Sequence, residues 1–209
     1  PLDVSTSTAM NCCSKLLCDG CYVACQLGSM NSVCPFCREP TPSTIEESNE
    51  LGSKRAEAND PLAMYCHGVN QYDKGERSTA FAWFTKAAEM GNLQAHFILA
   101  AIYHIGEDKD KGKFLYHLEE AAIGGEPDAR YTLGCVELEN GNVGRAAKHL
   151  TIGATLGDDR STKMLMDFFK DGDISKEDYA AALRAHQAAV DATKSPQREA
   201  AGEFHRIRK

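Results

Sequence analysis

The chain of 209 residues lacks any stretch near the roughly 18 uncharged apolar residues that a membrane-spanning helix needs. No membrane partner is therefore expected. A secretory leader is also missing: the start, PLDVSTSTAM, has neither a basic head nor an apolar run. That predicts an intracellular protein, cytoplasmic or nuclear, rather than a secreted one. Positive charge is scarce, with 23 Lys and Arg against 30 Asp and Glu and a net charge of -7. An acidic surface repels phosphate backbones, so no nucleic-acid partner is expected. The basic run His205 to Lys209 is too short to change this. Signatures of covalent chemistry are absent: there is no glycine-rich phosphate loop, no HExxH and no GxSxG. The seven histidines are scattered, and His104 and His117 read as packed or surface groups rather than ligands. Glu119 and Glu120 read as a solvated face, and no catalytic residue is assigned. What remains is ordinary globular composition, 43% hydrophobic and 25% charged, in a length that allows one or two domains.

Cysteine is unevenly spread. Seven of nine lie between Cys12 and Cys37, while Cys66 and Cys135 stand alone and read as small buried hydrophobes. Two CxxC pairs occur, Cys18–Cys21 and Cys34–Cys37. In a reducing compartment, clustered thiols read as zinc ligands. A two-residue gap lets both sulfurs reach one ion at about 2.3 Å, and four thiolates satisfy tetrahedral Zn²⁺. A disulfide knot and a thioredoxin-like redox pair are the competing readings, the latter without its strand-helix context.

The full string CCSKLLCDGCYVACQLGSMNSVCPFCREPTP resembles the last three ligand pairs of a RING finger of the all-cysteine kind. The resemblance implies a cross-braced module over 12–40, after a disordered start at 1–11. Its second pair would be Cys12 and Cys13, its third Cys18 and Cys21, and its fourth Cys34 and Cys37. The second and fourth pairs share one Zn²⁺. The third shares another with a first pair that residues 1–11 do not supply, which suggests an N-terminally incomplete form of a longer protein. Cys25 is an alternative third ligand there, and only one of the adjacent Cys12 and Cys13 ligating is another option. The same resemblance implies that Pro35 and Phe36 contact a ubiquitin-conjugating enzyme and that Arg38 bridges to ubiquitin.

Residues 41–59 read as a solvated linker, with a short helix near Glu46 to Ala58. Beyond it the chain repeats with a period of about 34 residues. Small residues recur at Ala63/Gly68, Ala95/Ala100 and Ala129/Gly134, and Gly91, Gly125 and Gly157 close successive units. Gly75, Gly106, Gly141 and Gly172 mark mid-unit turns. Each unit is therefore two helices, and apolar spacing of three and four supports this, as in Phe97, Ala101 and His104 beside Ile98, Ile102 and Ile105. The spans are 60–92, 93–126, 127–158 and a degraded capping unit with a long helix over 159–195, followed by a tail at 196–209. Ser175 is the N-cap expected for the helix Lys176 to Thr193. The tyrosines at 65, 72, 103, 116 and 131 follow the repeat and are expected mostly in the core.

The pattern is similar to the Sel-1-like branch of tetratricopeptide-type repeats. Ala63, Gly68, Gly75, Ala80, Trp83, Ala87, Ala88 and Gly91 carry it in the first unit. Ala95, Tyr103, Gly106, Tyr116, Ala121, Ala122 and Gly125 carry it in the second, and Ala129, Tyr131, Leu133, Gly134, Gly141, Ala146, Ala147, Ala154 and Gly157 in the third. The resemblance implies a mainly α protein: a right-handed α-solenoid with a small N-terminal zinc-binding module. With the string LRAHQAAVDATKSPQREAA, the whole resembles RING-plus-repeat proteins of diatoms and related algae. They imply a ubiquitin ligase component whose repeat surface recruits a client protein. A non-catalytic adaptor with a remnant zinc finger is the alternative.

Overall fold

A computed structural model describes residues 7–28, 32–106 and 109–207. Among them the protein is mainly α, with eleven helices and one two-stranded hairpin. The chain divides into two compact units: one holds the residues up to Asn92 together with those from Lys194, and the other runs from Leu93 to Thr193.

The first unit opens with strands β1 (Ser7–Met10) and β2 (Lys15–Cys18), antiparallel, with Met10 opposite Lys15 and Ser7 opposite Cys18. Residues 7–10 of the expected disordered start are thus strand, because pairing with β2 satisfies their backbone groups. Helix α1 (Asp19–Leu27) follows directly. After it, Val33 and Pro40 bridge to form a second tight turn. Helices α2 (Ile45–Glu57), α3 (Pro61–Asp73) and α4 (Arg77–Glu89) come next, and α11 (Pro196–Ile207) completes the unit by packing on α1.

The short helix expected near Glu46 to Ala58 is α2 and takes up most of the linker; Thr44 caps it by accepting from the Glu47 amide, and it packs on α3. Its end explains why. Asn59 is left-handed (φ 62°), its amide reaches Ala56 O at 3.1 Å, and the Asp60 amide reaches Arg55 O at 3.1 Å. Helix α4 ends identically at Gly91, with Gly91 N to Ala88 O at 2.8 Å and Asn92 N to Ala87 O at 2.9 Å. Both are Schellman closures. Lys54-Arg55-Ala56-Glu57-Ala58-Asn59 therefore matches Lys86-Ala87-Ala88-Glu89-Met90-Gly91, and α2 has the form of the second helix of a repeat. Asparagine in place of glycine hides it from a glycine count.

The second unit stacks α5 (Leu93–Ile105), α6 (Lys111–Ile123), α7 (Pro127–Glu139), α8 (Val143–Thr155), α9 (Asp159–Asp171) and α10 (Lys176–Thr193). Neighbours in sequence pack on one another, and α10 returns to α8 as well as α9. Of the glycines expected at turns, Gly75, Gly91, Gly125, Gly141, Gly157 and Gly172 are left-handed, whereas Gly106 is not. Asp110 and Asp158 cap the helices that follow them, and Ser175 accepts from the Asp178 amide at 3.0 Å as expected.

The core is built from the small-residue positions and their large partners. Ala100, Leu118, Ala121, Ala122, Ala129 and Leu133 form one cluster, and Ala146, Leu150, Ala154, Leu165 and Phe168 another. In the first unit, Gly68 faces Phe84, whose ring would lie 2.7 Å from any Cβ placed there. The expected stripe is offset: Ala95, His96, Leu99 and Ala100 of α5 are buried, while Ile105 is exposed. Tyr72 and Tyr116 are exposed rather than in the core, whereas Phe84 and Leu118 are buried between the paired helices.

Candidate metal centre

The two tight turns of the first unit carry the same geometry. In the second, the Arg38 amide reaches Cys34 O at 2.9 Å, Cys34 N donates to Glu39 O at 2.8 Å, and Arg38 takes a left-handed backbone (φ 62°). In the first, the Ser14 amide reaches Met10 O at 2.8 Å, and Ser14 is left-handed (φ 51°). Cys13 thus holds the place of Cys37, and Met10 that of Cys34. The first turn thus has Met10 where a CxxC has its leading cysteine, and has Cys12 beside Cys13.

These turns bring four thiols together. The Sγ atoms of Cys12, Cys13, Cys34 and Cys37 all lie within 4.8 Å of one another. Cys37 approaches Cys12 at 3.4 Å and Cys13 approaches Cys34 at 3.8 Å. Four sulfurs about 2.3 Å from one tetrahedral ion stand about 3.8 Å apart, so the quartet fits a metal ion. The separations are far beyond the roughly 2.05 Å of an S–S bond, and all nine cysteines are free.

The surroundings divide the quartet. Burial pushes the Cys12 thiol well up, helped by the thiols of Cys37 and Cys34. Burial also raises Cys34, but the amides of Cys37 and Phe36 and the neighbouring thiols outweigh it and bring Cys34 to about 7. Cys34 is buried and Cys37 exposed. The amides of the second turn thus favour the charged form of Cys34, the form in which a thiol ligates a metal.

The other expected ligands are not in the quartet. Cys18 is the N-cap of α1 and Cys21 lies in its first turn. Burial raises Cys18, but the Cys21 amide, the Arg198 guanidinium and the Cys21 thiol overcome it and leave the thiol lowered. Cys25 adds only a like charge toward Cys21, and no third ligand joins this pair among the described residues. Phe36 is 48% exposed beside the quartet and Pro35 is half-buried.

The turns are anchored. Asn11 donates from Nδ2 to Ser48 O at 3.1 Å and Ser48 Oγ at 2.9 Å, and Arg55 Nε donates to Ser14 Oγ at 3.0 Å. Arg55 also pairs with Asp60 at 2.7 Å, and Asp60 caps α3 through the Ala63 amide. Helix α2 therefore joins the thiol module to the first helix pair. The sequence reading missed this; its signal was polar Asn11 and Ser14 flanking the cysteines.

The helix pairs carry aromatic-histidine contacts on matching positions. Trp83 lies 4.8 Å from His67, with Lys86 4.9 Å above it. At the Trp83 position of the next repeat, His117 meets His96 Nδ1 at 3.0 Å and stacks on Tyr103 at 5.7 Å. Burial lowers His67, His117 and His149 below the usual histidine range. No helix among the described residues is long and apolar enough to cross a membrane.

Among solved structures, the chain is similar to a Sel1 repeat protein from Oxalobacter formigenes, at 26% identity and a TM-score of 0.59, over 71% of this chain and 65% of that one. It is also similar to a protective antigen of uropathogenic Escherichia coli strains that displays an SLR fold, at 20% identity and a TM-score of 0.57, over 70% of this chain and 34% of that one. The chain thus spans just under two thirds of one neighbour and about one third of the other. No protein-family model matches it, and no curated protein does. The solved neighbours give the helix pairs a Sel1-type repeat architecture.

Proposed function

We propose that the protein is a zinc-bearing protein-interaction protein, and a component of a RING-type ubiquitin ligase whose helix pairs recruit a client protein. The observation that carries this is the Cys12–Cys13–Cys34–Cys37 quartet, bracketed by α2 to a Sel1-type helix pair. Zinc fits it better than harder cations because all four donors are soft thiols. Zn²⁺, when bound, supplies folding free energy to a module with a small apolar core.

This chain would contribute no reacting group. A ligase of this kind works by holding a charged conjugating enzyme in a productive pose, which is catalysis by positioning. Exposed Phe36, with Pro35, offers an apolar contact beside the quartet, and Arg38 presents a cation directly after it. The helix pairs would hold the client through exposed aromatic and basic groups such as Tyr116, Lys113 and Lys86.

The second reading is a non-catalytic adaptor, and one observation favours it: Cys18 and Cys21 have no further pair beside them among the described residues. Autoubiquitination with a panel of conjugating enzymes separates the two. Chains that disappear in Phe36→Ala support the ligase. No chains from zinc-loaded protein leave the adaptor. Elemental analysis tests both: about one zinc per chain is expected, and protein with reduced thiols that retains none sinks both.

A further inference from the structure

We propose that α11 is a cis-acting clasp on the N-terminal module: seated on α1 at Gly20, with Arg198 against Cys18, it keeps the Cys18–Cys21 pair from taking a cation. The inference is independent of the ligase reading, since it concerns the thiols outside the quartet.

Gly20 carries the geometry. It is buried in the first turn of α1, and its backbone is not left-handed, so nothing in its own conformation demands glycine. The demand comes from α11. A Cβ on Gly20 would lie 2.5 Å from the Arg198 nitrogen, 2.7 Å from its Cα and 2.7 Å from the Gln197 carbonyl carbon. All three are backbone atoms, so no side chain can rotate away to make room. Ala201, one turn further along α11, is 1% exposed. The first turn of α11 is fixed by Ser195, which accepts the Arg198 amide at 3.3 Å through Oγ and the Glu199 amide at 3.0 Å through its carbonyl. That turn delivers the Arg198 guanidinium to Cys18.

Chemistry supplies the function. Two thiols at a helix N-terminus are half of a tetrahedral metal set, and such a pair gathers negative charge. A guanidinium satisfies that charge without coordinating, since it has donors only. A metal ion at the same pair would stand next to the positive Arg198 side chain that the seat of α11 on Gly20 holds there. Seating of α11 and cation binding at Cys18–Cys21 therefore exclude one another. A segment read from sequence as a tail becomes the element that closes the second thiol pair.

The full chain tests this with two variants that undo the seat from opposite sides. Gly20→Ala improves α1 as a helix by itself, because alanine is favoured over glycine by about 1 kcal/mol. Ala201→Glu leaves the module's own residues intact. Hydrogen exchange over 196–207 and cadmium titration followed by thiolate absorbance are the readouts, with retention of the first metal equivalent as the folding control. In both variants α11 amides should exchange at least tenfold faster, and a second cadmium equivalent should bind at least tenfold tighter than in wild type. Wild-type exchange of α11 in Ala201→Glu overturns the clasp, as does a second equivalent that wild type binds as tightly as the variants.

Discussion

Gly68 and Leu150 show how little freedom the paired helices leave their residues. The Phe84 ring lies against the bare face of Gly68, and Leu150 is wholly buried with Cδ2 2.9 Å from where a Cβ on Gly134 would stand. Gly68→Val should cost about 1–3 kcal/mol through overpacking, and Leu150→Ala about 2–5 kcal/mol through the cavity it leaves, both read as shifts in urea midpoint. At the quartet the effect is on metal rather than packing. Cys34→Ser should abolish tight zinc binding, while Cys18→Ser should leave about one equivalent in place; equal losses in elemental analysis would contradict the assignment of the quartet. The thiols were readable from spacing, and the RING resemblance already grouped Cys12 and Cys13 with Cys34 and Cys37, the four that the fold brings together; spacing alone did not give that partition. CxxC gaps say which sulfurs can share an ion, whereas the quartet depends on the left-handed Ser14 and Arg38, two residues with no glycine to announce them.

Helices α3 to α10 were legible because their pattern is local. Small residues mark the crossings, and a left-handed residue ends each of α4, α6 and α8, with Asp158 capping the next helix at once. Asp158→Ala should cost about 1 kcal/mol, since the Ser161 amide loses its acceptor at 2.9 Å. Helices α2 and α11 were less legible for the opposite reason. Their order comes from distant partners: Asn11 and Ser14 for α2, Gly20 for α11. Asn59 illustrates the limit, because it closes α2 as glycine closes α4. Asn59→Ala should cost about 1–2 kcal/mol by forcing a Cβ-bearing, non-amide residue into the left-handed region, while Asn59→Gly should be tolerated in the same denaturation experiment.

At the scale of the molecule, pH reports on the helix pairs. His67, His117 and His149 are held below their ordinary value of 6.5, chiefly by burial. The folded protein therefore binds fewer protons than the unfolded chain just below 6.5, so the contribution is intact above that value and stability falls as pH drops through it. His149→Gln should flatten this slope in denaturation series between pH 7 and 5; an unchanged slope would remove His149 from the account. The bracket formed by α2 has a different consequence. Asn11 and Ser14 grip α2 only while the first turn keeps its shape, and α2 is the wall on which α3 rests. For a metal-loaded quartet, chelation would spread damage by fraying: the hairpin slackens, its wall drifts free, and the first helix pair is left bare-sided to solvent.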